Sequence, residues 1–318
     1  MSGRQMNLAE GFLDPRMGVR GPLKRVLEVI DWAPLEALAL RVRSGEWGRP
    51  GYTALALLKS LYLQALYNLS DPAMEEALID RVSFRLFCGF TLDQTTPDET
   101  TLLRFRHDCV AAGVLGEAFA EVNRQLDAKG LIVRKGTLMD ATIVSAASRR
   151  PAMEQGSKPS LDREPGATFT QKGGKSFFGY RFHIGADMGS GLIRRLALTP
   201  AHINESMVAD ALICEDEEAV YGDKGYESKT RRTQLRRRGI KDRIMHRSHK
   251  HQRALPYWQR RRNALIGPLR APVEAIFGKI KNLYGRARMR YCSFSHNLAD
   301  MYRIATVHNL RRAASLSG

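Results

Sequence analysis

Apolar positions in the first 130 residues recur with the 3.6-residue period of amphipathic helices. Proline and turn-prone clusters such as Ser70-Asp71-Pro72 divide this pattern into segments. The predicted helices cover about 22–43 (a pair broken near Pro34), 53–69, 72–87, 97–109 and 116–128. We therefore predict an all-α N-terminal domain of about five helical elements over residues 1–130.

The pattern changes at Gly136, after which β-branched and apolar residues dominate short segments. Residues 150–175 are rich in Pro, Gly, Lys and Ser and predict a loop. The predicted strands cover about 137–146, 176–188, 191–200, 218–221 and 240–245, and the predicted helices about 205–214, 228–238, 258–283 and 296–315. Residues 131–318 are thus predicted to form an α/β domain with a mixed sheet and a helical C-terminal region.

Charge separates the same two regions. Residues 1–130 contain 15 Lys and Arg against 17 Asp and Glu, whereas residues 131–318 contain 35 against 16. The formal net charge of +17 therefore comes from the second region alone. An excess of this size predicts a polyanionic partner, either nucleic acid or an anionic membrane.

The excess is concentrated in residues 229–290, which hold 20 basic residues and only two acidic ones, Asp242 and Glu274. Such density is typical of a surface that binds a phosphate backbone, because each neutralised phosphate releases counterions. A solvated basic tail is the alternative interpretation. Interleaved residues such as Tyr257 and Trp258 favour folded structure. We expect Trp258 to pack in the core, with stacking on a DNA base as the alternative.

Cysteine spacing and hydropathy narrow the choice of partner. The cysteines are widely spaced and form no CxxC pair, so they indicate neither a disulfide framework nor a zinc ribbon. No run of about 18 apolar residues occurs, and the N-terminus lacks an apolar leader segment. We therefore expect a cytoplasmic protein with reduced thiols and no membrane partner.

Three acidic residues occupy positions that do not suit an ordinary surface charge. Asp140 lies within an apolar strand, where an uncompensated carboxylate is costly. Asp223 directly follows a short strand, at the sheet edge where α/β proteins place ligands. Glu274 is an isolated acid in a helix rich in basic residues. A strand-edge position for Asp140, a turn role for Asp223 and an ion pair between Glu274 and Arg270 remain open as alternatives.

If these carboxylates converge, they can bind two divalent cations. Mg²⁺, for which Mn²⁺ substitutes, prefers carboxylate and phosphate oxygen and needs neither histidine nor cysteine. Two such ions activate an attacking oxygen and stabilise a leaving oxygen during in-line attack on a phosphodiester. We therefore predict Asp140, Asp223 and Glu274 as metal ligands, and His183 as a hydrogen-bonded structural residue.

Four stretches carry a family resemblance: LMDATIVSA, GYRFHIGAD, VYGDKGYES and RAPVEAIFGKIK. In this order and spacing they resemble the DDE transposases of bacterial insertion sequences, in particular the insertion-sequence-five family. The helical run over residues 52–90 also resembles the domain that precedes the catalytic core in those transposases. The most specific pieces are Asp223-Lys224-Gly225-Tyr226 and the spacing of Arg270, Glu274 and Lys281.

The resemblance implies an RNase H-like core in which Asp140, Asp223 and Glu274 form the catalytic triad. It implies hydrolysis of DNA at the element's end, followed by attack of the freed 3′ hydroxyl on a target phosphodiester. The implied partner is double-stranded DNA, as terminal inverted repeats and as target. Because two ends are joined, we expect a homodimer or larger assembly on DNA, associated with the nucleoid. The N-terminal domain would serve DNA-end binding, dimerisation or both.

The resemblance also implies four DNA-binding residues, Arg270, Lys281, Lys224 and Tyr226. Tyr226 has an alternative role, which is to shape the turn that presents the preceding aspartate. Such signatures often have a tyrosine three residues before the arginine, and Gly267 stands there in this chain. This departure leaves the predicted metal ligands unchanged and concerns only how the flanking DNA is held.

Two other functions stay open from the sequence. A nuclease of the same fold would cut DNA without joining it, and a non-catalytic DNA-binding protein would use only the basic stretch. Three carboxylates within a positively charged region disfavour the second function. The helix over 98–108, with Arg104 and Arg106 at polar positions, is either a DNA-recognition helix or part of a dimerisation surface.

Overall fold

The computed structural model of the protein describes residues 19–42, 51–148, 164–248 and 254–317. The chain divides into two compact units, of which the second is Gly130–Met301. The first unit, called the helical unit here, combines Met1–Lys129 with Tyr302–Gly318. The division differs from the predicted one at its C-terminal end, because the last residues belong to the helical unit.

Seven helices occupy the described part of the chain before residue 130: α1 (Gly21–Glu28), α2 (Ala33–Leu40), α3 (Ala54–Leu66), α4 (Asp71–Asp80), α5 (Val82–Cys88), α6 (Glu99–Ala111) and α7 (Val114–Ala128). The side chains of Thr53, Ser70 and Asp98 cap α3, α4 and α6 by accepting a backbone N–H of the first turn. The single helix predicted over 72–87 is two helices, because Arg81 between them has extended backbone.

A polar network lies inside the helical unit. Arg106 of α6 is only 3% exposed and donates to both carboxylate oxygens of Asp71, at 2.6 and 2.7 Å. The Gln64 amide donates to Asp71 and accepts a hydrogen bond from Arg303 at 2.7 Å. Arg106 is therefore a structural residue, and the interpretation of α6 as a DNA-recognition helix loses one of the residues on which it depended.

The second unit, called the sheet unit here, is built on a mixed sheet of β1 (Thr137–Ser145), β2 (Thr168–Lys172), β3 (Lys175–Asp187), β4 (Ile193–Pro200), β5 (Ala219–Gly222) and β6 (Lys241–Ile244). β3 pairs antiparallel with β1, β2 and β4. β5 lies between β1 and β6 and is parallel to both. This α/β architecture confirms the predicted RNase H-like class.

β2 lies in the segment that we predicted to be a loop. Residues 149–163 of that segment fall outside the described residues, whereas 168–172 pair with β3. Gly173 and Gly174 have φ of +57° and +74° and form the two-residue turn between the strands. A two-glycine turn with both φ values positive is typical of a β-hairpin. The Gly-Gly pair therefore indicated a hairpin, but the overall composition of 150–175 led us to predict a loop.

Helices and short turns complete the sheet unit. They are α8 (Glu205–Val208), α9 (Lys229–Arg237), α10 (Tyr257–Leu269), α11 (Ala271–Gly278), 3₁₀ turns at Ala209–Leu212 and Lys224–Tyr226, and a π-helical turn at Lys279–Leu283. Met139 of β1 belongs to an apolar cluster with Leu212, Val220 and Leu235. Because successive strand residues point to opposite faces, Asp140 points away from this cluster.

The last helix, α12 (Phe294–Leu316), explains the assignment of the C-terminal residues. The Tyr302 ring packs against Phe119 of α7, with ring centroids 5.6 Å apart. Asn309 donates to Asn123 of the same helix at 2.7 Å. These contacts place 302–318 in the helical unit, and no local sequence pattern contains that information.

Candidate active site

Asp140 and Asp223 lie side by side because neighbouring strands carry them. β1 and β5 are parallel, and Leu138 is paired with Tyr221. Extending this register by two residues places Asp140 opposite Asp223, directly after β5 ends at Gly222. Adjacent strands lie about 4.8 Å apart. The fold therefore brings together two carboxylates that are far apart in the sequence.

Asp223 is held by the turn that follows it. Its carboxylate caps the Lys224–Tyr226 turn, with Oδ1 accepting the Gly225 N–H at 2.7 Å. A Cβ at Gly225 would lie 2.9 Å from Asp223 Oδ1 and 2.9 Å from Glu205 Oε2. Any side chain at this position would displace one of the two carboxylates. The glycine of the Asp-Lys-Gly-Tyr run thus allows both acids to approach the same space.

Arg270 joins α10 to α11 and reaches the first aspartate. Its Nη2 lies 3.3 Å from Asp140 Oδ2, and its side chain is 12% exposed. Glu274 follows one turn later on α11 and is exposed. Residues four apart lie on the same helix face, and Phe277 of this helix packs edge-on against Phe182 of β3. The structure thus places Glu274 on a helix that packs on the sheet and is preceded by the arginine that contacts Asp140.

The other predicted DNA-binding residues occupy different environments. Lys224 is exposed directly after Asp223. Lys281 is partly buried in the π-helical turn, and burial together with Lys172 lowers its pKa. Tyr226 is fully buried, so the predicted direct contact between Tyr226 and DNA does not fit its position. The alternative role, shaping the turn that presents Asp223, does fit.

The carboxylates of the site are incompletely compensated. Burial raises the pKa of Asp140, Arg270 lowers it only in part, and Asp223 raises it further. Burial also raises the pKa of Glu205, and the charge of Asp223 adds to that effect. Gathering like charges in a partly buried place disfavours their ionised forms. A divalent cation supplies the missing positive charge, so this set of oxygen donors fits Mg²⁺.

Three residues of the site were not predicted from the sequence. Glu205 begins α8, and its Oε1 lies 3.3 Å from Nη1 of Arg181 on β3. Lys172 at the end of β2 is exposed and acts electrostatically on both Asp140 and Glu205. One signal was available for Glu205, because it starts a helix shortly after a strand, which is the same type of position that drew attention to Asp223.

A second group of potential ligand atoms lies at Cys214, Asp216 and Glu217, all within 4.8 Å of one another. Arg134 Nε and Arg194 Nη2 bond to Asp216 at 2.8 and 2.6 Å. Burial acts to raise the pKa of Asp216, but these bonds outweigh it and hold the pKa at about 2. Glu217 accepts the backbone N–H groups of the other two residues. This group is an internally satisfied structural cluster.

The basic stretch over 229–290 is divided between internal ion pairs and exposed positions. Arg231 bonds to Asp210 at 2.7 Å, and Arg286 bonds to Asp300 at 2.5 Å. Both arginines are buried. The prediction that the whole stretch binds phosphate was therefore too broad, because part of this charge stabilises the sheet unit itself.

Other residues of this stretch are exposed and are available to contact a partner. Trp258 of α10 is 58% exposed and packs edge-on against His246, so the expected core position of Trp258 was wrong. In the parts of the chain that the structure describes, no helix has the length and apolar character needed to cross a membrane. Exposed arginines lie on α9, directly after it and on α10: Arg236, Arg237, Arg238, Arg260 and Arg261.

Comparison with known families agrees with this site. Residues 12–108 match the family described as "Transposase domain (DUF772)". Residues 133–310, more than half of the chain, match the family described as "Transposase DDE domain". No solved structure matches the chain. The second match spans both aspartates and the Arg270 to Lys281 segment, and it confirms the resemblance to DDE transposases without distinguishing the insertion-sequence-five family. The chain belongs to the DDE transposase family.

Proposed function

We propose that this transposase cleaves DNA at the ends of its insertion sequence and joins the 3′ ends to target DNA. In the first step water hydrolyses a phosphodiester and leaves a 3′ hydroxyl. In the second step that hydroxyl attacks a target phosphodiester and displaces a target 3′ oxygen. The observation that carries this proposal is the side-by-side placement of Asp140 and Asp223 in an incompletely compensated site.

Asp140, Asp223 and Glu274 are the proposed ligands of two Mg²⁺, for which Mn²⁺ substitutes. When bound, the ions supply activation of the attacking oxygen and stabilisation of the leaving oxygen. The protein's contribution is to hold the ligands in place. The Gly225 N–H fixes one Asp223 oxygen, and Arg270 holds one Asp140 oxygen. Glu274, exposed on α11, would supply the third carboxylate.

The basic residues are proposed to hold the DNA. Lys224 directly follows Asp223, and the charge of Lys172 acts on both Lys281 and Asp140. Lys224 and Lys281 would neutralise phosphates close to the cleaved bond. Arg260 and Arg261, exposed on α10, would contact the backbone farther away. Contacts of this kind position DNA without reading its sequence. Two copies of the chain, each holding one terminal inverted repeat, would form the assembly that joins both ends to the target.

Asp223→Asn tests the proposal directly. The substitution keeps the size of the side chain and removes its charge, so metal-dependent cleavage of a DNA fragment carrying the element's end should fall on the order of 10³-fold or more. Binding to the same fragment, measured by gel shift in EDTA, should stay near that of the wild type. Glu218→Gln, at an exposed residue that pairs with Lys241 at 3.8 Å, is the matched control.

The outcomes separate the functions that the sequence left open. Retained Mg²⁺-dependent cleavage by Asp223→Asn would contradict the proposed ligands. A wild-type protein that cuts the end but cannot join a pre-cut 3′ end to target DNA would be a nuclease. Binding without cleavage at any Mg²⁺ or Mn²⁺ concentration would leave only a DNA-binding protein.

A further inference from the structure

Glu205 approaches the proposed metal site from a different element than the other carboxylates. It follows Asn204, whose side chain caps α8, and its own side chain is 23% exposed. One oxygen, Oε1, faces Nη1 of Arg181 at 3.3 Å. The other oxygen, Oε2, lies 2.9 Å from the position that a Cβ would take at Gly225. Asp223 Oδ1 lies at the same distance from that position.

These distances suit a shared ion. The two oxygens can be no farther apart than the sum of their distances to the Gly225 Cβ position. One Mg²⁺ bridges two oxygens that each lie about 2.0–2.1 Å from it. Since each of those distances is 2.9 Å, the two oxygens would have to approach each other by less than about 2 Å for one ion to reach both.

A buried hydroxyl provides a second and independent observation. Tyr226 is fully buried, and its hydroxyl has no hydrogen-bond partner among the residues that the structure describes. Among the charges that act on this hydroxyl, Glu205 comes first, followed by Asp140 and Asp223. An unpartnered buried hydroxyl costs about 1–3 kcal/mol. This group therefore lies beside the carboxylates, ready to donate to an oxygen that enters or reorients when the site is filled.

The pairing of Glu205 with Arg181 also resembles the pairing of Asp140 with Arg270. In each pair one guanidinium nitrogen lies 3.3 Å from one carboxylate oxygen. By contrast, Arg106 binds Asp71 through two short bonds. A single long contact orients one oxygen of a carboxylate; the other oxygen of Asp140 accepts the Ala141 N–H at 2.8 Å and keeps a lone pair that can bind a cation.

We propose that Glu205 is a fourth carboxylate of the catalytic site and, with Asp223, a ligand of one of the two metal ions. The inference rests on the proposed function, since it concerns the same site. It adds to the triad a residue that precedes the second aspartate in the sequence and begins α8, after the turn that follows β4. Arg181 holds Oε1, so that Oε2 is directed toward the ion.

The test is metal binding by the full-length protein, measured with Mn²⁺ by calorimetry. Glu205→Gln should weaken Mn²⁺ binding at least about tenfold and should lower Mg²⁺-dependent end cleavage while DNA binding in EDTA stays unchanged. Glu205→Asp retains a carboxylate on a shorter side chain and should lie between Glu205→Gln and the wild type. Glu218→Gln, which removes an exposed charge outside the site, should bind Mn²⁺ like the wild type.

Wild-type Mn²⁺ affinity and stoichiometry in Glu205→Gln would overturn the proposal. Should Glu205→Gln fail to fold, wild-type Mn²⁺ affinity together with a large loss of stability in Glu205→Asp would also overturn it, since Glu205 would then be structural. Asp223→Asn in the same titration distinguishes failure of the proposed metal site from failure of Glu205 as its fourth carboxylate. If Asp223→Asn also binds Mn²⁺ normally, the proposed function fails, whereas a defect confined to Asp223→Asn removes only the fourth ligand.

Discussion

The helical unit and the sheet unit each hold a half-buried aspartate against an arginine, with opposite effects on the pKa of the aspartate. In the helical unit burial acts to raise the pKa of Asp71, but hydrogen bonds from Arg106 and Gln64 outweigh it and lower the pKa. In the sheet unit Arg270 makes one contact of 3.3 Å with Asp140, and burial keeps the pKa of that carboxyl raised. The same two residue types thus form a complete ion pair in one place and an incomplete one in the other.

The difference does not reflect a general property of either unit. Arg286 and Asp300 lie in the sheet unit, and their two bonds, at 2.5 and 3.1 Å, make a complete buried pair. Burial of a charge is therefore not what distinguishes the candidate site. The distinguishing feature is a carboxylate whose compensation stops short of completion, which leaves room for a cation.

Asp71→Asn is the strongest test of the complete pair. The substitution leaves Arg106 buried without a negative partner, and breaking a buried pair in this way costs about 3–5 kcal/mol. Urea denaturation followed by circular dichroism should show this loss in the free energy of unfolding. Glu117→Gln is the control, since it removes an exposed partner of Arg41. Equal and small effects in both variants would show that the Asp71 pair is not a main stabilising element.

His183 is a buried base that has a neutral hydroxyl as its partner, in contrast to the charged pairs above. It is fully buried, and its Nε2 lies 2.9 Å from the Thr199 hydroxyl, which agrees with the predicted structural role. Burial lowers its pKa to about 4. Because this value lies below the unfolded value near 6.5, the unfolded chain gains a proton first, and stability is lost as the pH falls from about 6.5 toward about 4.

The expected loss between pH 7 and pH 5 is about 2 kcal/mol for this one group. His183→Gln removes the titrating group, so the free energy of unfolding of the variant should fall less over the same interval. Urea unfolding at the two pH values measures the difference. Parallel pH dependence in the variant and the wild type would show that His183 does not stay neutral in the folded protein.

Local patterns in the sequence predicted much of what positions the site. The strand around Asp140 is apolar and β-branched, and Asp223 follows a short strand at a turn that contains glycine. These features depend on neighbouring residues, so a sequence shows them. The change in periodicity at Gly136 predicted the two regions, whereas the RNase H-like class was implied by the resemblance to DDE transposases.

What depends on distant contacts was not predictable in this way. Arg106 looked like a surface residue because the sequence does not show that Asp71 lies next to it. Glu205 was missed although it begins a predicted helix, because its approach to Asp223 arises only when β4 and β5 are placed in the sheet. Trp258 was assigned to the core on hydrophobicity alone, although its surroundings leave it exposed.

Asp140→Asn should have the smallest effect on stability and completes the comparison with Asp71. In EDTA, Asp140, Asp223 and Glu205 repel one another in a partly buried site. Removing one of these charges relieves repulsion and loses only a single long contact with Arg270, so the two effects nearly cancel. The free energy of unfolding should stay within about 1 kcal/mol of the wild-type value, although end cleavage is lost. A loss as large as that of Asp71→Asn would mean that the Asp140 pair is structural, and incomplete compensation would then not identify the catalytic carboxylates of this transposase.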